Sequence, residues 1–124
     1  MKHFSFVHLD DLDLALLNDL EWRCARQETL CLASEKELIT LLSYFNSSLS
    51  SESLPRINDV EFSYILNEYP TSMSDENFDE FYSAWLNKTK RENNMDEYGQ
   101  LICLNSFLLS NKNSKKVVVL SEAI

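Results

Sequence analysis

The residues best able to act on another molecule are carboxylates, and they are concentrated in two short stretches. Dense carboxylates of this kind can meet the Arg and Lys side chains of a basic partner through charge-assisted hydrogen bonds. The sequence therefore predicts two candidate protein-binding surfaces. The first consists of Asp75, Glu76, Asp79 and Glu80, and the second of Asp10, Asp11 and Asp13.

A second interpretation of these clusters needs no partner, because both fall where helices are predicted to begin. A carboxylate near a helix start offsets the positive end of the helix dipole, which contributes about 0.3–1 kcal/mol. The like-charged pairs Asp75/Asp79 and Glu76/Glu80 are four residues apart and cost about 0.2–0.5 kcal/mol apiece. The stabilisation by the helix dipole is larger than this repulsion, so helix stabilisation alone also accounts for the acidic turns.

Trp22 is a further candidate contact residue. It follows Leu20 by two positions and so falls off the predicted helix face that carries Leu12, Leu16 and Leu20. An aromatic side chain flanked by charges is a common form of binding hot spot, which makes Trp22 a candidate anchor for a partner. Burial against a second helix explains this residue equally well.

Signatures of catalysis and of cofactor binding are missing from the sequence. A nucleophilic site would set His3 or His8 against a thiol or hydroxyl and orient it with a carboxylate, and we expect structural roles for both histidines, at the surface or half-buried. Gly99 is the only glycine, so no phosphate-binding loop is available. We therefore expect no cofactor, no metal and no enzymatic activity. An imidazole held in a cleft against a thiol or a carboxylate would overturn this expectation.

The three cysteines are an odd set without the spacing of a zinc site. Cys24 and Cys31 lie seven residues apart, which is two turns along one face if a single helix contains both. On that condition we expect both to be small hydrophobic residues of the core.

The net charge restricts the partners that this protein can bind. Twenty Asp and Glu residues face eleven Lys and Arg residues, for a formal charge of −9. Binding to nucleic acid is disfavoured, because its affinity comes from Lys and Arg displacing counterions. A basic protein suits the charge, although acidity also simply keeps a protein dissolved. The sequence shows no apolar run of membrane-spanning length and no signal-peptide pattern near its start, so we expect a cytoplasmic protein.

A helix over residues 75–91 is the best-defined element that positions these groups. Ser74 can cap its start, and an apolar stripe follows at helical spacing. The stripe consists of Phe78, Phe81, Tyr82, Trp85 and Leu86. Lys88, Lys90 and Arg91 occupy its other end.

Earlier in the chain, Asp10 or Asp11 can begin a helix with Cys24 on its apolar face, Arg23 and Arg26 near its end and a possible break around residues 27–28. Residues 29–33 fit either a further turn or a short strand. Ser34 and Glu37 form a capping box, in which each side chain reaches the other residue's backbone N–H, and it opens a strongly apolar helix.

The sheet is predicted from the end of the chain. Residues 116–120 are β-branched and consecutive, which is typical of a strand covered on both faces, and residues 2–7 are its most economical partner. Residues 60–66 fit strand and helix about equally. For residues 101–109 we favour a helix over one limb of a hairpin. Asn94 and Glu97 are a second candidate capping box for that helix.

Together these patterns predict one α+β domain over residues 1–124, predominantly helical, with about four helices and a small sheet that includes strand 116–120. The function expected is that of a non-enzymatic intracellular inhibitor that covers a basic surface of another protein. An immunity protein that neutralises a nuclease-like toxin is the concrete example. The alternative is a secretion or assembly chaperone, which would be a homodimer with an exposed apolar surface.

Overall fold

The structure is a computed structural model that describes residues 2–8, 27–50, 60–110 and 117–122. These residues form a four-stranded antiparallel sheet and three helices, so the α+β class is confirmed, with three helices in the described ranges rather than about four. The strands are β1 (Lys2–His8), β2 (Gln27–Leu32), β3 (Val60–Ile65) and β4 (Val117–Glu122), and the helices are α1 (Glu35–Tyr44), α2 (Asp75–Thr89) and α3 (Met95–Ser110). The helix predicted to begin at Asp10 or Asp11 lies outside the described residues.

The two ends of the described chain meet in the middle of the sheet. The strand order is β2-β1-β4-β3, and β1 pairs with β4 with Phe6 opposite Val119. The predicted pairing of the first and last strands is therefore confirmed. All four residues from Val117 to Leu120 are buried, as expected of a strand that is covered on both faces.

The sheet separates two sets of buried side chains. Phe4, Phe6, Val117 and Val119 point to one face and join the main core, which the helices complete. Val7, Val118 and Leu120 point to the opposite face, where they are equally buried but do not belong to that core cluster. Because successive residues of a strand point to opposite faces, a run of valines suits a position between two apolar layers.

The two segments whose secondary structure the sequence left open are both strands. Residues 60–65 pair with β4, with Tyr64 opposite Val119, and residues 27–32 pair with β1, with Leu30 opposite Phe4. The strand form is favoured because each segment supplies a ladder partner that the central strands need. The expectation for Cys31 is consequently wrong: it lies on β2 rather than on a helix shared with Cys24, and it is partly exposed.

The predicted helix at 75–91 is confirmed, with its end two residues earlier, at Thr89. The Ser74 hydroxyl accepts a hydrogen bond from the backbone N–H of Asn77 at 3.3 Å. Lys90 adopts the left-handed conformation (φ 56°) and ends the helix there, where its N–H reaches the carbonyl of Leu86. The predicted stripe faces the core: Phe78, Phe81, Tyr82 and Trp85 are buried, and Leu86 packs against them.

Residues 101–109 lie within α3, so the favoured helical interpretation is confirmed. The side chain of Asn94 caps this helix and accepts hydrogen bonds from the backbone N–H groups of Asp96 (2.8 Å) and Glu97 (3.2 Å). The residues of α3 that enter the core recur at helical spacing, which a strand would have placed on two opposite faces. They are Leu101, Leu104, Phe107 and Leu108.

Candidate protein-binding surface

The acidic turns of α2 lie on the outside of the protein. All four predicted carboxylate residues are exposed, and their spacing places them in two rows on the helix. Asp75 and Asp79 form the row nearer α3, where Asp79 accepts a hydrogen bond from the Tyr98 hydroxyl at 3.3 Å. Glu76 and Glu80 form the other row, and Glu80 lines a shallow depression.

None of these four carboxylates forms an ion pair with another described residue. The ion pairs within the described ranges join Lys2 to Glu61 and Arg91 to both Glu37 and Glu97. The acidic end of α2 therefore presents charges that the described part of the fold leaves uncompensated. Both of the earlier interpretations of these charges, contact with a basic partner and complementation of the helix dipole, are compatible with this placement.

The arrangement is reversed just past the other end of α2, because the guanidinium of Arg91, two residues beyond Thr89, forms ion pairs with two carboxylates. It donates to both oxygens of Glu37 (2.5 and 2.7 Å) and to Oε1 of Glu97 (3.3 Å). Glu97 also accepts from the indole N–H of Trp85 at 2.7 Å. These charged side chains are only 15–20% exposed, so the network joins α1, α2 and α3 at a largely covered position.

Arg91 also changes both predicted capping boxes. The caps themselves form, but neither glutamate returns to the backbone N–H of its cap residue. Glu37 accepts a hydrogen bond instead from the backbone N–H of Ala33 at 3.1 Å. Glu97 accepts hydrogen bonds from the side chains of Trp85 and Arg91. The spacing of the boxes was a usable signal for the helix starts. It held no information about Arg91, which lies 54 residues from Glu37.

Tyr98 connects the acidic end of α2 to the surface of α3. Partial burial of its ring raises the pKa of Tyr98, and the charge of Asp79, the hydrogen bond to Asp79 and the charge of Asp75 raise it further. A raised pKa favours the neutral phenol, which is the form that can donate to the Asp79 carboxylate. The negative charge of this row therefore adds to the effect of burial on the pKa of Tyr98.

One narrow stripe on the exposed side of α3 contains no charged residue, although Asp96 beside it is exposed. Residues at positions 95, 99, 102, 106 and 109 repeat at a spacing of three or four and form one narrow stripe, which we call the α3 stripe. It consists of Met95, Gly99, Ile102, Ser106 and Leu109. Met95, Ile102 and Leu109 are 81%, 37% and 54% exposed.

The α3 stripe and the Asp75/Asp79 row border one another. Tyr98 lies one turn from both Met95 and Ile102 on α3, and its hydroxyl contacts Asp79. A Cβ atom added at Gly99 would have no neighbouring atom within 4 Å, so the middle of the stripe is open to an approaching molecule. The hairpin of α2 and α3 thus presents an exposed apolar strip with an acidic border.

The second predicted cluster cannot be placed in the same way. Asp10, Asp11, Asp13 and Trp22 lie outside the described residues. Their proposed contact with a partner stays a prediction from sequence.

The two histidines have different environments. His8 is fully buried, deeper than expected, and its ring stacks on Phe107 with centroids 4.1 Å apart. The Tyr69 hydroxyl lies 3.1 Å from its Nε2 and donates to the carbonyl of Leu108 at 2.9 Å. Because that hydroxyl has one proton, His8 is the donor in their shared hydrogen bond. This geometry supports a structural role for His8.

His3 lies at the surface, where its Nδ1 is 3.3 Å from the thiol sulfur of Cys31. An imidazole therefore does face a thiol in this protein, on neighbouring strands. Among the described residues, no carboxylate is hydrogen-bonded to the ring of His3. The pair has a nucleophile and a base but not the orienting third group of a catalytic triad.

The described ranges contain no group of three or more His, Cys, Asp or Glu residues arranged to hold a metal ion. None of the helices in these ranges combines the length and apolar character that crossing a bilayer requires. Comparisons with protein-family models, with curated proteins and with solved structures gave no match to this chain. Function is therefore inferred from the residues alone.

Proposed function

We propose that this chain is a non-enzymatic binding protein that covers a basic surface on another protein. The observation that carries the proposal is the exposed acidic end of α2, whose carboxylates have no ion-pair partners among the described residues. Charges that the fold leaves unpaired at a surface remain available to attract an oppositely charged molecule. A net charge of −9 adds to that attraction.

The concrete form of this function is an immunity protein that neutralises a nuclease-like toxin in the cytoplasm. The carboxylates of α2, together with Asp10, Asp11 and Asp13, would take the place of substrate phosphates in the cationic cleft of the toxin. Attraction between opposite charges accelerates such an encounter, and added salt slows it. Occlusion of the cleft is sufficient for inhibition, so no residue of this chain needs to react.

The α3 stripe is a second reason to propose that the partner binds on the hairpin of α2 and α3. Protein interfaces combine an apolar centre that loses water with a polar rim that sets orientation. Here Ile102 and Leu109 supply exposed apolar area, and Asp75 and Asp79 supply charge along the border. The partner suited to this hairpin has an apolar patch flanked by Arg or Lys.

The experiment uses three double variants that each raise the net charge by two. Asp75→Asn/Asp79→Asn neutralises the row that borders the stripe, and Glu76→Gln/Glu80→Gln neutralises the row on the far side. The control, Glu61→Gln/Glu68→Gln, removes two exposed carboxylates from other parts of the fold. Each variant is immobilised beside the wild-type chain, and basic proteins retained from a cell extract are eluted with a salt gradient.

We expect one basic protein to be retained by the wild type and by the control. Its retention should be strongly reduced by the Asp75/Asp79 variant and less reduced by the Glu76/Glu80 variant. Association rates measured with that protein should fall with salt, and the Asp75/Asp79 variant should flatten the dependence. Equal loss in all three variants would mean that only net charge matters, and the proposed surface would be wrong.

A second candidate function, the homodimeric chaperone, is favoured by the α3 stripe alone. A second copy could pack on Met95, Ile102 and Leu109, which would remove apolar surface from water. Light scattering distinguishes the two candidates: a stable dimer that Ile102→Lys converts to a monomer supports the chaperone. A monomeric wild type supports the inhibitor.

A further inference from the structure

Strands β1 and β2 place a thiol and an imidazole side by side. His3 and Cys31 are directly opposite in the antiparallel ladder, and Nδ1 of His3 lies 3.3 Å from Sγ of Cys31. Cys31 is partly exposed and His3 is exposed, so a small molecule in solution can reach the pair. This site lies on the sheet, apart from the acidic turns of α2.

Gln100 of α3 holds the backbone of Cys31 at the edge of the sheet. The N–H of Cys31 donates to Oε1 of Gln100 at 3.2 Å, so it points away from β1. His3 and Cys31 therefore form a non-hydrogen-bonded pair of the ladder, the type in which facing side chains come closest. Nε2 of Gln100 lies 3.9 Å from the sulfur. The contact between thiol and imidazole is thus built into the strand register.

We propose that Cys31 is a covalent modification site for small disulfides, with His3 as the base that activates it. With its own proton on Nε2, His3 accepts the thiol proton at Nδ1 as the sulfur attacks one sulfur atom of the disulfide. A new S–S bond forms at Cys31, the original S–S bond breaks, and the leaving thiolate takes the electron pair. Cys31 is oxidised and the released half of the disulfide is reduced. A second thiol reverses the step.

Cys103 provides an internal reference for this reaction. It is a free cysteine on α3 and is more exposed than Cys31, and among the described residues it has no imidazole partner. If access alone determined the rate, Cys103 would react faster. If the neighbouring base determines it, Cys31 reacts faster despite its partial burial.

The test uses the full chain with one reactive cysteine at a time. Cys24→Ser/Cys103→Ser retains only Cys31, and Cys24→Ser/Cys31→Ser retains only Cys103. Each is mixed with dithiodipyridine, a neutral disulfide whose released thiopyridone is followed by absorbance, and intact mass confirms the adduct. His3→Gln is then added to the chain that retains Cys31. The same rates in urea give the reactivity of each thiol without the fold.

We expect Cys31 to react at least about tenfold faster than Cys103. A positioned base accelerates a reaction by about 10²–10⁴-fold, and the partial burial of Cys31 offsets some of that acceleration. His3→Gln should remove the difference, and the two rates should converge in urea. The proposal is overturned if folded Cys31 reacts no faster than Cys103, or if His3→Gln leaves its rate unchanged. The comparison of the two cysteines stands even if His3→Gln does not fold. It is also independent of whether a basic partner exists.

Discussion

The two ends of α2 carry charge in opposite ways. At the N-terminal end, the four carboxylates from Asp75 to Glu80 are exposed and have no ion-pair partners in the described structure. At the C-terminal end, Arg91 is largely covered and bound to carboxylates from two other helices. A charge that the fold has covered and paired is held in one position by its neighbours. A charge that it leaves exposed and unpaired remains available to another molecule.

This contrast assigns recognition to the start of one helix and stability to the residues that follow its end. Exposed charges contribute little to folding because water screens them, whereas removing one member of a covered pair leaves the other without compensation. The C-terminal end of α2 should therefore be sensitive to substitution when folding is measured. The N-terminal end should be sensitive when binding is measured.

The largest expected loss of stability follows from removing Arg91. Arg91→Ala leaves Glu37 and Glu97 facing each other without a cation, and we expect the free energy of unfolding to fall by about 2–4 kcal/mol. Urea unfolding followed by circular dichroism measures it. The control is Lys88→Ala, which removes a positive charge from an exposed position in the last turn of α2 and should change stability by less than about 0.5 kcal/mol. Similar losses in both variants would remove the distinction between the two ends.

A smaller loss is expected from the buried pair of His8 and Tyr69. Tyr69→Phe deletes the hydroxyl that accepts from His8 and donates to the carbonyl of Leu108, and we expect a loss of about 1–2 kcal/mol in the free energy of unfolding. Tyr44→Phe is the matched control, because no hydrogen bond to its hydroxyl occurs among the described residues and it packs mainly through its ring. An unchanged unfolding midpoint for Tyr69→Phe would contradict the assigned hydrogen bonds.

The cap of α3 should contribute less again. Asn94→Ala removes the oxygen that accepts from the N–H groups of Asp96 and Glu97, at a cost of about 1 kcal/mol in the free energy of unfolding. Asn94→Asp keeps an acceptor at that position and should retain most of the stability. If both variants lose the same amount, the side-chain oxygen is not the cap.

The smallest effect is in the titration of Tyr98. Its pKa is higher in the folded state than in the unfolded state, so between the two values the folded protein keeps a proton that the unfolded chain has lost. Its contribution to stability is therefore complete below about pH 10 and is lost as the pH rises through the folded pKa. Asp79→Asn removes the charge and leaves only a neutral amide oxygen as the acceptor for the Tyr98 hydroxyl, which should move the phenol titration toward its usual value. Ultraviolet absorbance, with Tyr98→Phe to assign the signal, measures this, and an unchanged curve would exclude the contact.

Much of the fold was predictable because its signals are local. The helix from Asp75, its Ser74 cap and the β-branched strand that ends the described chain depend on neighbouring residues, and all three formed as predicted. The pairing of the first and last strands was predictable for a different reason, because a strand needs a partner and few candidates were available. The sequence did not distinguish strand from helix for residues 60–66, because only their backbone hydrogen bonds with β4 favour the strand.

The contacts that determine the candidate sites were less predictable, since they join distant parts of the chain. Nothing near Arg91 in the sequence indicates Glu37, and nothing near Cys31 indicates His3, which the β1/β2 register places opposite it. The α3 stripe was missed because α3 is apolar around most of its circumference. A helical pattern that identifies an apolar face fails when both the buried and the exposed faces are apolar.

The most direct test of the contrast between the two ends of α2 is the free energy of unfolding of a chain in which all four carboxylates are neutral. This variant carries Asp75→Asn, Glu76→Gln, Asp79→Asn and Glu80→Gln. Only Asp75 and Glu76 lie in the first turn, where the helix dipole acts, so the stabilisation that they lose is only slightly larger than the repulsion that is relieved. We predict a loss within about 1 kcal/mol, well below the loss expected for Arg91→Ala. A loss as large as that of Arg91→Ala would contradict the account, because the acidic end would then serve the fold itself.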